Sequence, residues 1–132
     1  MQSRQISLFI KAHWRDVYNF AANPHNLPQW ASGLSENPPV QEGDEWFVES
    51  PQGRVKLFFA PDNNFGILDH WVVLPNGAEV YMPVRVIAAG KFSEVIFTLQ
   101  RQPEMDDAKF EEDANMITKD LHQLAQLVEN KK

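Results

Sequence analysis

Five β-rich runs follow one another with only short turns between them, and one long amphipathic helix closes the chain. That order constrains the fold more than any single motif does. The runs are Glu45–Ser50, Arg54–Ala60, Gly66–Leu74, Ala78–Ala88 and Phe92–Arg101. Pro51-Gln52-Gly53, Asp62-Asn63-Asn64, Asn76-Gly77 and Ala89-Gly90 separate them. These turns are short enough to join antiparallel neighbours and too short for the crossovers that parallel strands need. An antiparallel sheet with one apolar face must have that face covered. The element long enough to cover it is a helix predicted from about Asp106 to Asn130. On it Phe110, Ala114, Ile117, Leu121, Leu124 and Val128 form one stripe. Asp106 and Asp107 suit its first turn, where carboxylates favour the helix dipole.

The N-terminal part supplies the remaining pieces. Ile6 to Ile10 reads as a first strand, and Trp14, Val17, Tyr18 and Ala21 recur at helical spacing up to a stop at Asn23-Pro24. A second helical turn follows from His25 to Trp30, then a Pro-rich polar loop from Gly33 to Gly43. The predicted class is α+β: a curved antiparallel sheet of about six strands gripping a long C-terminal helix, with two short helices after the first strand. At 132 residues the chain is read as a single domain, 1–132.

Composition removes several functional classes. Twelve basic residues stand against eighteen acidic ones, a formal charge of -6, and no basic patch offers itself to a phosphate backbone. No nucleic-acid partner is expected. The absence of cysteine excludes disulfides, cysteine-ligated metals and thiol nucleophiles. Neither a leader-type apolar segment nor a membrane-spanning run is seen, so a cytoplasmic protein is expected. His13, His25 and His122 are scattered, and the acidic residues from Glu104 to Asp113 read as a solvated helix start. No metal and no cofactor is expected.

The turns also predict which side chains face inward, because directly opposed residues share a face. A two-residue Asn76-Gly77 turn sets Val73 against Val80, Trp71 against Met82, Asp69 against Val84 and Ile67 against Val86. A two-residue Ala89-Gly90 turn sets Val84 against Val95, Met82 against Phe97 and Arg85 against Glu94. A two-residue Pro51-Gln52 turn sets Trp46 against Leu57, and a three-residue Asp62-Asn63-Asn64 loop turns Val55, Leu57 and Phe59 inward. On this reading Asp69 is the one ionisable group on the apolar face, and His70 lies outside with Arg85 and Glu94. A slip of one residue would invert the two roles.

The order of elements, with the phrases Asn26-Leu27-Pro28-Gln29-Trp30, Gly66-Ile67-Leu68-Asp69-His70 and Arg85-Val86-Ile87, resembles the START-like (SRPBCC, helix-grip) superfamily of lipid-transfer and polyketide cyclase/dehydratase proteins. The resemblance spans nearly the whole chain. It implies a cavity between sheet and long helix that receives apolar or aromatic small molecules. Members include binders, carriers, cyclases, ring-hydroxylase subunits and chaperone regulators. No Rieske-type Cys/His pairs and no iron triad are present to support a hydroxylase.

The expected ligand-binding residues are Trp30, Trp46, Phe59, Asp69, Trp71, Met82, Phe97 and Leu121. Trp30, close after Pro28, is placed at the cavity mouth as a gate. An unpaired Asp69 on an apolar face should have a raised pKa and could act as acid, base or ligand anchor. Its alternative is a structural acid that accepts bonds from nearby N–H groups. The first functional expectation is a binder or carrier of a hydrophobic small molecule. The second is a cyclase/dehydratase-type enzyme with Asp69 as general acid or base, and the third a chaperone-regulator-like interaction module. Phe9, Phe47, Phe58, Val72, Tyr81 and Ile96 would crowd the convex face, which suggests a homodimer formed through the sheet.

Overall fold

The computed structural model describes residues 2–31, 37–50 and 53–130. Strand β1 spans Ser3–Ile10 and helix α1 Trp14–Ala22; a 3-10 turn over Pro24–Asn26 leads into the short helix α2, Leu27–Trp30. Then come β2 (Val40–Glu42), β3 (Glu45–Ser50), β4 (Gly53–Phe59), β5 (His70–Val73), β6 (Glu79–Met82), β7 (Val84–Ala89) and β8 (Phe92–Gln100). The chain ends in α3, Asp107–Glu129. The predicted α+β class and gripped C-terminal helix are found. Among the described residues the strand count rises from about six to eight, because Val40–Glu42 adds a strand and Pro83 divides the Ala78–Ala88 run into β6 and β7.

All pairing is antiparallel, in two ladders ordered β1-β8-β7 and β2-β3-β4-β5-β6. The division at Pro83 follows from its missing N–H, which cannot take part in a ladder. Gly66-Ile67-Leu68 stitches the two ladders together: Leu68 N–H donates to Val84 O and Val86 N–H to Gly66 O, both at 2.8 Å. Ile67 and Arg85 form an isolated bridge there.

Helix α3 starts where the carboxylates predict. Asp106 is its N-cap, its side chain accepting from Lys109 N–H at 2.8 Å. The predicted stripe is the buried face: Phe110, Ala114, Leu121, Leu124 and Val128 are buried and Ile117 is half-buried. It closes over Ile10, Val84, Val95 and Leu57 from the strands and Val17 from α1.

Register agrees with the turns in one hairpin and departs from them in two. Trp46 opposes Leu57 and Val48 opposes Val55, as predicted, although the Pro51-Gln52 turn itself lies outside the described residues. So does the first part of the Gly33–Gly43 loop. At the β7–β8 turn Ala89 opposes Phe92, leaving Gly90-Lys91 as the loop, with Gly90 at φ 63° in its first position. This two-residue shift keeps the faces but removes the expected Arg85–Glu94 pair, since Arg85 opposes Ile96.

The β5–β6 correction matters more. His70 opposes Met82, Trp71 opposes Tyr81 and Val72 opposes Val80. The loop has three residues, closed by Leu74 N–H to Ala78 O and Gly77 N–H to Leu74 O, both 2.8 Å. A two-residue Asn76-Gly77 loop would need Pro75 to donate a closing hydrogen bond, and proline has no N–H. Pro75 instead takes the first central position of the turn, which its fixed φ suits, and Gly77 follows at φ 89°. The one-residue shift turns β5 over. Val72 and His70 are buried and face in, whereas Trp71 lies outside. The segment from 60 to 69 is correspondingly longer than the expected three-residue loop, and Phe59 opposes His70. The inward set on β4 is nonetheless the predicted one: Val55 and Leu57 are buried and Phe59 packs on the core.

Candidate functional site

A cavity of about 160 Å³ lies between the sheet and α3. Its wall is mainly apolar. Phe59, Met82 and Phe97 come from the strands, Leu27 and Trp30 from α2, and Ile117 and Leu121 from α3. Among the expected ligand-binding residues, Trp30, Phe59, Asp69, Met82, Phe97 and Leu121 border it. Trp46 and Trp71 are not brought to it. Trp46 lies on β3, one strand beyond the cavity-lining β4, and its ring meets His25 at 5.3 Å between centroids. Trp71 stacks on Tyr81 at 5.1 Å on the opposite side of the sheet, because β5 is turned over. Trp30 is buried and packed into the core. Its indole Nε1 is buried without a hydrogen-bond partner among the described residues.

Asp69 is not the unpaired inward carboxylate that the sequence suggested. Its carboxylate accepts from Tyr81 Oη at 2.6 Å, the Val84 N–H at 3.0 Å, and Arg85 Nε and Nη2 at 2.8 and 2.7 Å. The cause is again local. Asp69 falls opposite Pro83 in the continued hairpin, and its carboxylate receives the amide that follows the proline. Burial by itself pushes this carboxyl up, but the bonds from Arg85, Tyr81 and Val84 outweigh it and hold the pKa below its ordinary value. The same bonds raise Tyr81 and Arg85. This geometry is that of the structural acid.

His70 stands where Asp69 was expected. It is buried on the cavity wall between Phe59 and Phe97, with ring centroids 6.3 and 6.2 Å away. Burial lowers its pKa; the Leu68 carbonyl and the Asp69 charge act in the other direction and do not restore it. Burial therefore favours the neutral imidazole. Nδ1 lies 3.3 Å from Leu68 O. A carbonyl oxygen can only accept, so the ring proton sits on Nδ1 and Nε2 carries a lone pair. Nε2 has no hydrogen-bond partner among the described residues. A neutral imidazole with its lone pair at an apolar cavity can anchor a donor group or take a proton. The legible signal for His70 was Pro75, whose effect on loop length decides which neighbour faces inward.

Among the described residues no group of three or more His, Asp or Glu side chains is placed to hold a metal ion. No helix in them is long and apolar enough to cross a membrane.

This architecture is a helix-grip fold, and solved structures of that shape resemble it over nearly all of this chain. An Aha1 dimer from Colwellia psychrerythraea matches with a TM-score of 0.75 at 16% identity, covering 100% of this chain and 99% of that one. XoxI from Bacillus cereus gives 0.74 at 12% identity, covering 98% and 97%. DynU16, from the dynemicin biosynthetic locus, gives 0.72 at 12% identity; 98% of this chain aligns, spanning 48% of DynU16, about half its length. Identities this low show a shared fold and nothing narrower. No protein-family model matches the sequence, and no curated protein sequence matches it.

Proposed function

We propose that the protein binds a small, largely apolar molecule in the cavity between sheet and α3, with His70 as its polar anchor. One observation carries this reading: an aromatic and aliphatic wall around about 160 Å³ holds a buried imidazole flanked by Phe59 and Phe97. Atoms lining such a space lack dispersion partners, and a ligand of matching shape supplies them. Sites for drug-sized ligands start near 300 Å³, so this volume suits a molecule of roughly one ring better than a long acyl chain. Native mass spectrometry of protein purified from its source should show a bound compound of that size. Added one-ring compounds should raise the Tm. Absence of both would reject the reading.

A second reading, an enzyme of the cyclase/dehydratase type, is supported by the His70 lone pair. A proton-transfer base needs a neutral ring within reach of its substrate. The likeness to a protein from a biosynthetic locus is compatible with it. Asp69 is less suited to that role, because four hydrogen bonds already occupy its oxygens. With a confirmed substrate, His70→Gln should slow turnover by about 10²–10⁴-fold. Unchanged turnover would remove the reading.

Pairing of two copies through the outer sheet face is supported by Phe9 and Phe58, which are 51% and 42% exposed. That face would also serve the interaction-module reading. A monomeric mass across a light-scattering concentration series would argue against the pair, and a charge placed at Phe58 should dissociate it.

A further inference from the structure

We infer that the cavity selects ligands presenting a hydroxyl on an apolar body of about one ring, and that it discriminates against acceptor-only and anionic ligands. This deepens the small-molecule reading above and rests on it.

The selection follows from hydrogen-bond polarity. Because Nδ1 donates to Leu68 O, the neutral ring can offer only an acceptor at Nε2. A ligand oxygen that is itself only an acceptor would set lone pair against lone pair there. Gaining a proton to relieve this is opposed by the apolar flanks Phe59 and Phe97 and the cross-strand neighbour Met82, whose desolvation of the ring outweighs the Leu68 carbonyl and the Asp69 charge. A donor placed against Nε2 instead satisfies a polar atom that the fold leaves unpaired among the described residues.

The other polar groups on the wall narrow the choice further. Tyr18 Oη accepts the Asn63 N–H at 2.9 Å, and Asp69 is held by Tyr81, Val84 and Arg85. Asp113 pairs with Lys109 at 3.0 Å. Trp30 supplies a buried N–H with no partner among the described residues. A hydroxyl both donates and accepts, so it can answer the His70 lone pair as well as the donors on the wall, the Trp30 N–H and the Tyr18 O–H, whereas a carbonyl can answer only the donors.

Charge completes the argument. Asp69, Asp113 and Asp120 border the cavity, and no Lys or Arg lines it among the described residues. A carboxylate ligand would lose its water there, and the nearby cations Arg85 and Lys109 are already paired with Asp69 and Asp113, an arrangement that costs several times a lost neutral hydrogen bond.

The test is a titration of the purified protein with 4-methylphenol, toluene, acetophenone and benzoate, followed by NMR chemical shifts. The expected result is that 4-methylphenol binds about tenfold or more tightly than toluene or acetophenone, the effect of one satisfied buried polar atom, and that benzoate does not bind. In His70→Leu the advantage of 4-methylphenol over toluene should disappear while toluene still binds. If that variant does not fold, the wild-type series decides alone. Equal affinities for 4-methylphenol and toluene, or preferential binding of acetophenone or benzoate, would overturn the inference and leave the cavity reading standing. No binding by any of the four would overturn both.

Discussion

The β3–β4 and β5–β6 hairpins start from similar sequence signals, alternating apolar residues around a short turn, and they end differently. In the first, Trp46 faces Leu57 as alternation and loop length predict. In the second, Trp71 faces Tyr81 instead of Met82. There Pro75 lacks the amide hydrogen that a two-residue loop would need. Its effect on the first hairpin's counterpart is total, since a slip of one residue exchanges the two faces of a strand. Loop length thus determines whether the cavity receives a carboxylate or an imidazole.

The contrast can be broken most severely at Gly66, where the chain leading to β5 crosses β7. Gly66 has φ 73°, and a Cβ built there would stand 2.1 Å from Val86 O. Gly66→Ala combines a disfavoured backbone conformation with displaced backbone, and should cost about 3 kcal/mol or more. A shift in the urea midpoint measures it, and a change below about 1 kcal/mol would mean that the crossing is looser than described.

Asp69→Asn should come next, at about 2–3 kcal/mol, because the amide keeps the volume but turns a donor toward donors. The control lies in the other hairpin. Glu49, whose oxygen is 4.0 Å from Arg54 Nε, is 70% exposed, and Glu49→Gln should change stability by less than about 0.5 kcal/mol. Equal losses at the two positions would erase the distinction between a structural acid and a surface one.

The third effect separates Asp69 from His70 by pH. Burial holds the folded His70 ring below its ordinary 6.5. As pH falls below 6.5 the unfolded chain takes up a proton that the folded chain refuses. Stability is therefore lost by up to about 1.4 kcal/mol per pH unit until the folded ring protonates. Asp69 acts lower. Its folded pKa lies below 3.8, so its contribution is present above that value and vanishes as pH drops through the folded pKa. His70→Phe should flatten the dependence that sets in as pH falls below 6.5 and leave the more acidic loss in place. An unchanged slope in this variant would show that the imidazole is not buried in its neutral form.

Much of this was legible in the sequence, and the exceptions have local causes. The α3 stripe from Phe110 to Val128 and the inward faces of β4 and β8 follow from periodicity, which many residues report together. Single residues decide the rest. Trp71 and Val72 are both apolar, so hydrophobicity alone could not say which faced the core. Val72 is buried, and the larger Trp71 lies flat on Tyr81. The Asp69–Arg85 pair depends on two registers at once, and an error in either conceals it.

The smallest effect tests Pro75 itself. Pro75→Ala returns the amide hydrogen and so permits the two-residue loop that the native sequence forbids. It should cost only about 0.5–1 kcal/mol, chiefly because the unfolded chain gains freedom. Register should nevertheless hold. Slipping by one residue would strip Asp69 of its bonds from Tyr81, Val84 and Arg85, drive the carboxylate inward and expose Val72, which together outweigh what a better turn can return. The Trp71–Tyr81 contact reports the outcome through cross-strand NOEs. Their persistence in Pro75→Ala would show that the burial pattern maintains a register the turn need only permit. Their replacement by Trp71–Met82 contacts would show that Pro75 alone keeps His70 in the cavity.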